Sequence, residues 1–78
     1  MPPDPIDIER RLDAGQWLRP GEVAVLLGAS RATIHRWIEL GRFRYRLRGR
    51  IRFLHPEDVR RELDAFRQEY QGGADGPA

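Results

Sequence analysis

The chain has 78 residues, a formal net charge of +2 and no cysteine. This length suits one small domain with a modest core, and without cysteine neither disulfides nor cysteine-ligated metal sites can form. No apolar run approaches the length of a membrane span. The acidic, proline-broken N-terminus does not resemble a signal peptide, so we expect a cytoplasmic protein.

The charge is unevenly distributed along the chain. Residues 31–52 carry eight Arg and one acid, Glu39, for a net charge of +7, whereas the remainder has a net charge of −5. Segregation of this kind favours a polyanionic partner more strongly than the overall charge does.

The first predicted helix begins at Asp4 and Pro5, a favourable cap and first residue, and runs to about Ala14. We expect one domain over residues 6–70, between a flexible arm at 1–5 and a glycine-rich flexible tail at 71–78.

Two short helices follow in the stretch PGEVAVLLGASRATIHRWIELG. The first runs from Pro20 to Gly28, where Ala24 lets another helix cross closely. The second begins at Ser30, a good N-cap, and ends before Gly41. Their tight connection is typical of a helix-turn-helix. Ile34, Trp37 and Ile38 mark the buried face of the second helix; the opposite face carries Ala32, His35, Arg36 and Glu39, flanked by Arg31 and Thr33.

The run RFRYRLRGRIRF at 42–53 alternates arginine with apolar residues, which is the period of a β-strand. Gly49 indicates a hairpin turn. A three-residue loop, 48–50, or a bulge that restores the same parity, would pair Arg46 with Arg52 and Tyr45 with Phe53. The hairpin would then have an apolar underside and an all-arginine top, suited to a phosphate backbone or, alternatively, to a solvated strand face.

The last predicted helix starts at Pro56 and carries an apolar stripe at Val59, Leu63, Phe66 and Tyr70. Core packing is the commoner use of such a stripe. Binding of a partner helix, and hence a role as a protein-interaction module, is the alternative.

As a package, the stretch from Trp17 to Leu63 resembles the helix-turn-helix-wing module shared by MerR-type regulators, BldC-type regulators and excisionases. The matching segments are PGEVA, LLGAS, TIHRWIELGRF, the glycine-centred wing and HPEDV. The resemblance implies a mainly α winged helix-turn-helix fold with a small β-hairpin wing. It places the recognition helix 30–40 in the major groove and the wing 42–54 on the backbone beside the minor groove. The candidate DNA-binding residues are Arg31, Ala32, Thr33, His35 and Arg36 from the helix and Arg44, Arg46, Arg48, Arg50 and Arg52 from the wing.

The sequence departs from these families at two places. Arg19 stands where the families usually have Thr or Ser, so the first motif helix lacks a side-chain cap, worth about 1 kcal/mol. MerR-type regulators continue into a long dimerising helix and an effector domain, whereas this chain stops soon after Tyr70. We therefore expect no small-molecule effector.

Other function classes find little support in the sequence. The only Ser and the only Thr, Ser30 and Thr33, are explained by capping and DNA contact, and His35 and His55 have no metal-ligand spacing. We predict no enzymatic activity and no cofactor. RNA binding is disfavoured because Phe43, Tyr45 and Phe53 are expected on an inward face, leaving no aromatic platform for stacking bases.

The predicted function is sequence-preferring binding of double-stranded DNA, as an excisionase-like recombination directionality factor or a small transcription regulator. A plasmid-control or antitoxin-type regulator is also compatible. Expected partners are duplex DNA and either an integrase or further copies of the chain on repeated sites. The setting would be the nucleoid of a bacterium, or a phage or plasmid.

Overall fold

The computed structural model of the protein describes residues 4–75, with side chains as far as Glu69. Over this range the chain forms α1 (Pro5–Asp13), α2 (Pro20–Leu27), α3 (Arg31–Glu39), β1 (Tyr45–Arg48), β2 (Ile51–Leu54) and α4 (Pro56–Asp75). Helices joined to one antiparallel two-stranded hairpin make the predicted winged helix-turn-helix fold, which is confirmed. None of the described helices is both long and apolar enough to cross a membrane.

Local signals account for the ends of the helices. Asp4 caps α1 by accepting a hydrogen bond from the Ile6 amide at 2.9 Å, and Ser30 caps α3 by accepting one from the Thr33 amide at 3.0 Å. Gly28 adopts a left-handed φ of 69°, which glycine tolerates without a steric penalty and which turns the chain from α2 into α3. These predicted boundaries are confirmed.

The start of α2 lacks a side-chain cap, as expected, because the Arg19 guanidinium has donors but no acceptor. Glu22 compensates in part, since its carboxylate accepts a hydrogen bond from the Arg19 amide at 3.0 Å. This is the half of a capping box that does not depend on the residue at the cap position.

One core joins all four helices to the base of the hairpin. Ile34 and Ile38 are buried and Trp37 packs against them half-buried, which confirms the predicted inward face of α3. The buried set is Ile8, Leu12, Leu18, Val23, Ala24, Leu27, Ile34, Ile38, Phe43, Leu54, Val59 and Leu63.

The hairpin register differs from the prediction. Arg46 lies opposite Phe53 and Leu47 opposite Arg52, so the loop contains the two residues Gly49 and Arg50 and not three. The predicted pairs of Arg46 with Arg52 and of Tyr45 with Phe53 are therefore wrong. Because directly opposed residues share a face of a hairpin, each face carries both arginine and apolar side chains, and the all-arginine top does not form.

Turn geometry explains the observed register. Gly49 has a φ of 62°, and no residue other than glycine has a positive φ in the described chain, so Arg50 does not. This combination matches a type II′ turn, whose twist suits two antiparallel strands. All four residues of β1 are exposed, and Leu47 is 61% and Tyr45 44% accessible to solvent. In β2 only Leu54 is buried, at the end of the strand away from the turn. Neither strand has a continuous buried face that would oppose the register favoured by the turn, and the expectation that Tyr45 points inward is wrong.

Backbone hydrogen bonds attach the wing to the helical core. Leu18 and Leu54 exchange two of them, at 3.3 and 2.7 Å, so the segment before α2 adds a short bridge beside β2. The His55 amide donates to the Arg44 carbonyl at 2.8 Å. The base of the hairpin is therefore held in place relative to α2 and α4.

Among the described residues of the apolar stripe of α4, the first two are part of the core. Val59 and Leu63 are buried, whereas Phe66 is 46% exposed. The side chain of Tyr70, also predicted in the stripe, lies outside the described residues. The helix extends to Asp75, beyond the predicted start of the tail at 71; residues 1–3 and 76–78, from the predicted arm and tail, also lie outside the described part.

Candidate nucleic-acid interface

The outward side of α3 presents most of the residues predicted to face DNA. Arg31, Ala32 and Arg36 are exposed, and Thr33 and His35 are half-buried. None of the five belongs to the buried core, to which α3 contributes Ile34 and Ile38. The Thr33 hydroxyl is within hydrogen-bond distance of the Ser30 hydroxyl, at 2.9 Å, so it already has a partner at the helix start.

The wing arginines are divided between the two faces of the hairpin. The register places Arg46 and Arg48 on one face with Phe53, and Arg52 on the other with Tyr45 and Leu47. Arg50 lies in the turn. The structure thus gathers four of the predicted wing residues on one small hairpin, with cations directed to both of its sides.

Aromatic rings support two of these wing arginines. The Arg46 guanidinium lies 4.0 Å from the centroid of the Trp17 ring, and the Arg52 guanidinium lies 5.3 Å from that of Tyr45. A guanidinium over an aromatic face gains a cation–π interaction and loses side-chain freedom. Trp17 also contacts the His55 ring in a tilted arrangement, with 4.8 Å between centroids and 53° between the ring planes. Trp17 is therefore a support of the wing that the sequence analysis did not identify.

Arg44 is set apart from the other wing arginines by its partner, Asp58. The Asp58 carboxylate accepts from the Arg44 amide at 2.6 Å and from its Nε and Nη2 atoms, each at 3.0 Å. Asp58 is buried, and the hydrogen bonds from Arg44 lower the pKa of its carboxyl from 3.8 to about 2 against the opposing cost of burial. These contacts give Arg44 an anchoring role between the wing and α4, whereas the arginines at the wing tip have no carboxylate partner among the described residues.

Ion pairing separates the arginines of this protein into two groups. Six of them lie within 4 Å of a carboxylate: Arg11, Arg42, Arg44, Arg60, Arg61 and Arg67. Among the described residues no ion pair holds the others, which are Arg10, Arg19, Arg31, Arg36, Arg46, Arg48, Arg50 and Arg52. Apart from Arg10 on α1, every member of this second group belongs to the start of α2, the outward side of α3 or the wing.

We call this set of seven the unpaired arginines: Arg19, Arg31, Arg36, Arg46, Arg48, Arg50 and Arg52. The arginines of α4, by contrast, all pair with carboxylates. Arg67, for example, holds Glu9 with two hydrogen bonds, at 3.0 and 2.5 Å, that join α4 to α1 and lower the pKa of the Glu9 carboxyl.

Arg19 is a member of the basic surface that its sequence pattern does not identify. In the sequence it marks only a lost helix cap, whereas in the structure its guanidinium lies 5.8 Å from the centroid of the Phe53 ring, across the gap between α2 and the wing. The available signal was its position directly before the first motif helix, a place that faces the same side as the start of α3 in this fold.

The two histidines have separate surroundings. His55 precedes α4, and its Nδ1 atom accepts a hydrogen bond from the Glu57 amide at 3.1 Å, so it acts at the start of that helix. His35 lies on the outward side of α3. No group of three or more His, Cys, Asp or Glu side chains with the arrangement of a metal site occurs in the described part of the chain.

Comparison with known proteins gives one match. Residues 17–70 match the family model described as "Helix-turn-helix domain" (HTH_17), a span that includes α2, α3, the wing and most of α4. No curated protein and no solved structure shows a significant match to the chain. The matched span covers more than half of the sequence and contains the arrangement described above. The chain therefore belongs to the HTH_17 helix-turn-helix family, a family of DNA-binding domains.

Proposed function

We propose that this protein binds double-stranded DNA with a preference for particular sequences. In this proposal α3 enters the major groove, which admits one helix, and the wing contacts the backbone beside the minor groove. Arg31, Ala32, Thr33, His35 and Arg36 face the DNA from α3. Arg46, Arg48, Arg50 and Arg52 face it from the wing, while Arg44 holds the wing in place.

The observation that carries the proposal is the position of the unpaired arginines. Seven guanidinium groups without a carboxylate partner in the described chain repel one another, and folding alone gives no reason to collect them at the start of α2, on α3 and on the wing. A phosphate backbone supplies the missing negative charge, and it releases bound counterions as it does so. The outward side of α3 adds small and polar side chains that can contact base edges.

Within this function we favour an excisionase-like recombination directionality factor, with a small transcription regulator as the alternative. A plasmid-control or antitoxin-type regulator also fits the same surface. The excisionase-like role implies an integrase as partner, and both favoured roles are compatible with several copies aligned on repeated sites. An integrase gene beside the gene for this chain would support the first role.

RNA binding is the alternative to DNA binding, because the aromatic ring of Tyr45 is exposed and could stack on a base. Tyr45 lies beside Arg52 on an exposed face of the wing, so an aromatic surface is accessible next to a cation. We favour DNA because the α3 side chains suit the wide major groove of B-form DNA. The deep, narrow major groove of A-form RNA does not admit a helix.

Competition at one fixed salt concentration tests the proposal. A labelled mixed-sequence DNA duplex is bound by the full chain and then challenged with unlabelled duplex DNA, duplex RNA or single strands. We expect duplex DNA to compete best. Selection from a randomised duplex pool should then yield a preferred sequence. Stronger competition by RNA or by single strands, or selection without any enriched sequence, would contradict the proposal.

A further inference from the structure

An open cleft lies between the helix-turn-helix and the wing. Four of the unpaired arginines line it: Arg19 from the start of α2, Arg31 from the start of α3, Arg50 from the turn and Arg52 from β2. They come from three separate stretches of the chain, which only the fold brings together.

The acids beside this cleft do not balance its cations. Glu22 lines it as well, but its carboxylate already pairs with Arg11 and accepts from the Arg19 amide. Glu39 is the other acidic residue that lines the cleft. Four guanidinium groups therefore face one carboxylate that has no ion pair among the described residues, so the cleft is strongly cationic.

The two helix-borne arginines have defined positions. The Arg31 Nε atom lies 3.5 Å from the point that a Cβ on Gly21 would occupy, so the Arg31 side chain crosses the start of α2. The Arg19 guanidinium lies over the ring of Phe53 on the wing. Arg19 thus spans the cleft between the two DNA-facing elements.

We infer that this cleft holds a segment of the phosphate backbone of duplex DNA, and that Arg19 is a phosphate-binding residue. The inference rests on the proposed DNA-binding function and adds a contact from α2 to those of α3 and the wing. A guanidinium binds phosphate oxygens through two parallel hydrogen bonds. The residue that deprives α2 of a side-chain cap would thereby contribute to binding.

The first experiment compares Arg19→Ala with Arg10→Ala, a control that removes the same charge from an exposed arginine on α1. Affinity for a mixed-sequence duplex is measured over a series of salt concentrations. We expect Arg19→Ala to bind about tenfold more weakly and to flatten the slope of log affinity against log salt by about 0.9, the value for one phosphate. Arg10→Ala should leave the slope unchanged.

Two further substitutions separate binding from folding. Arg19→Thr supplies the acceptor that α2 lacks, so it should melt at a temperature at or above that of the wild type while it loses affinity like Arg19→Ala. Arg19→Lys keeps the charge and should recover most of the lost affinity. A structural role for Arg19 would instead lower the melting temperature of Arg19→Thr and Arg19→Lys alike.

Equal effects of Arg19→Ala and Arg10→Ala on affinity and slope would overturn the inference, because only the general charge would then matter. Unchanged binding by Arg19→Ala would overturn it as well. In both cases a loss of binding by Arg36→Ala would show that the proposed function survives without the cleft. Failure of the wild type to bind any duplex would instead refute the proposed function.

Discussion

Arg46 lies directly opposite Phe53 in the wing, and its guanidinium rests 4.0 Å from the centroid of the Trp17 ring. The alternating sequence of the wing suggests instead that Arg46 opposes Arg52. The difference reverses the expected effect of Arg46 on stability, since a stacked cation stabilises the fold whereas a like-charged pair destabilises it.

Replacement of Arg46 should therefore lower both stability and affinity. Arg46→Ala removes the cation–π contact with Trp17 and should reduce the free energy of unfolding by roughly 0.5–1 kcal/mol. It should also weaken binding about equally on preferred and random duplexes, with a salt slope flatter by about 0.9. Thermal melting and salt-titrated affinity measure both effects on the same variant.

Arg48→Ala is the matched control for Arg46→Ala. Arg48 lies on the same face of the hairpin, two residues closer to the turn, and no ring contact involves it in the described structure. We expect a similar loss of affinity with an unchanged melting temperature. Unchanged affinity in both variants would indicate that the wing is a solvated pair of strands that does not contact DNA.

Sequence preference should depend on α3. His35→Ala and Arg36→Ala are expected to weaken binding to a selected sequence by about 1–3 kcal/mol wherever the side chain contacts a base. Both side chains lie away from the buried residues Ile34 and Ile38, so the fold should remain intact. Binding to duplexes with single base changes would locate each contact. If neither variant alters affinity or base preference, α3 is not the recognition helix.

The link between Asp58 and Arg44 predicts a loss of stability in acid. The pKa of Asp58 is about 2 in the folded protein, below its ordinary value of 3.8, chiefly because Arg44 donates hydrogen bonds to the carboxylate. A lowered pKa stabilises the fold above pH 3.8, and this contribution disappears as the pH falls from about 3.8 to about 2. It amounts to on the order of 2 kcal/mol.

Asp58→Asn tests this assignment by denaturant unfolding at several pH values. The variant should be less stable than the wild type at neutral pH, and the difference between them should shrink below pH 3.8. Asp64→Asn, at an exposed position on the same helix, is the control and should show little change. A stability difference independent of pH would mean that the Asp58 charge is not what matters.

The free protein is expected to be monomeric at micromolar concentration. Each chain completes a core from its own residues, which include Ile8 from α1 and Leu63 from α4. Sedimentation of the protein alone should give the mass of one chain, and successive binding to a duplex with repeated sites would indicate copies aligned along DNA. A tight dimer without DNA would direct attention to the exposed Phe66 on α4 as an interface.

The sequence by itself determined the helices, the turn between α2 and α3 and the buried face of α3. These features depend on local chemistry: Asp4 and Ser30 cap helices, Gly28 permits a left-handed turn, and Ile34 and Ile38 repeat with the helical period. The concentration of arginines in residues 31–52 was also visible in the sequence. It indicated a basic surface on α3 and the wing, where the fold places these arginines.

Only the tertiary structure decided the register of the wing and the partners of its arginines. Alternation fixes a strand's register when one face is buried, but β1 is exposed throughout and β2 is buried only at Leu54, so the preference of the turn at Gly49 prevailed. Arg44 meets Asp58 from 14 positions away in the sequence, and Arg46 meets Trp17 from a different element. These contacts depend on how separate elements pack, so they cannot be predicted from charge and spacing along the chain.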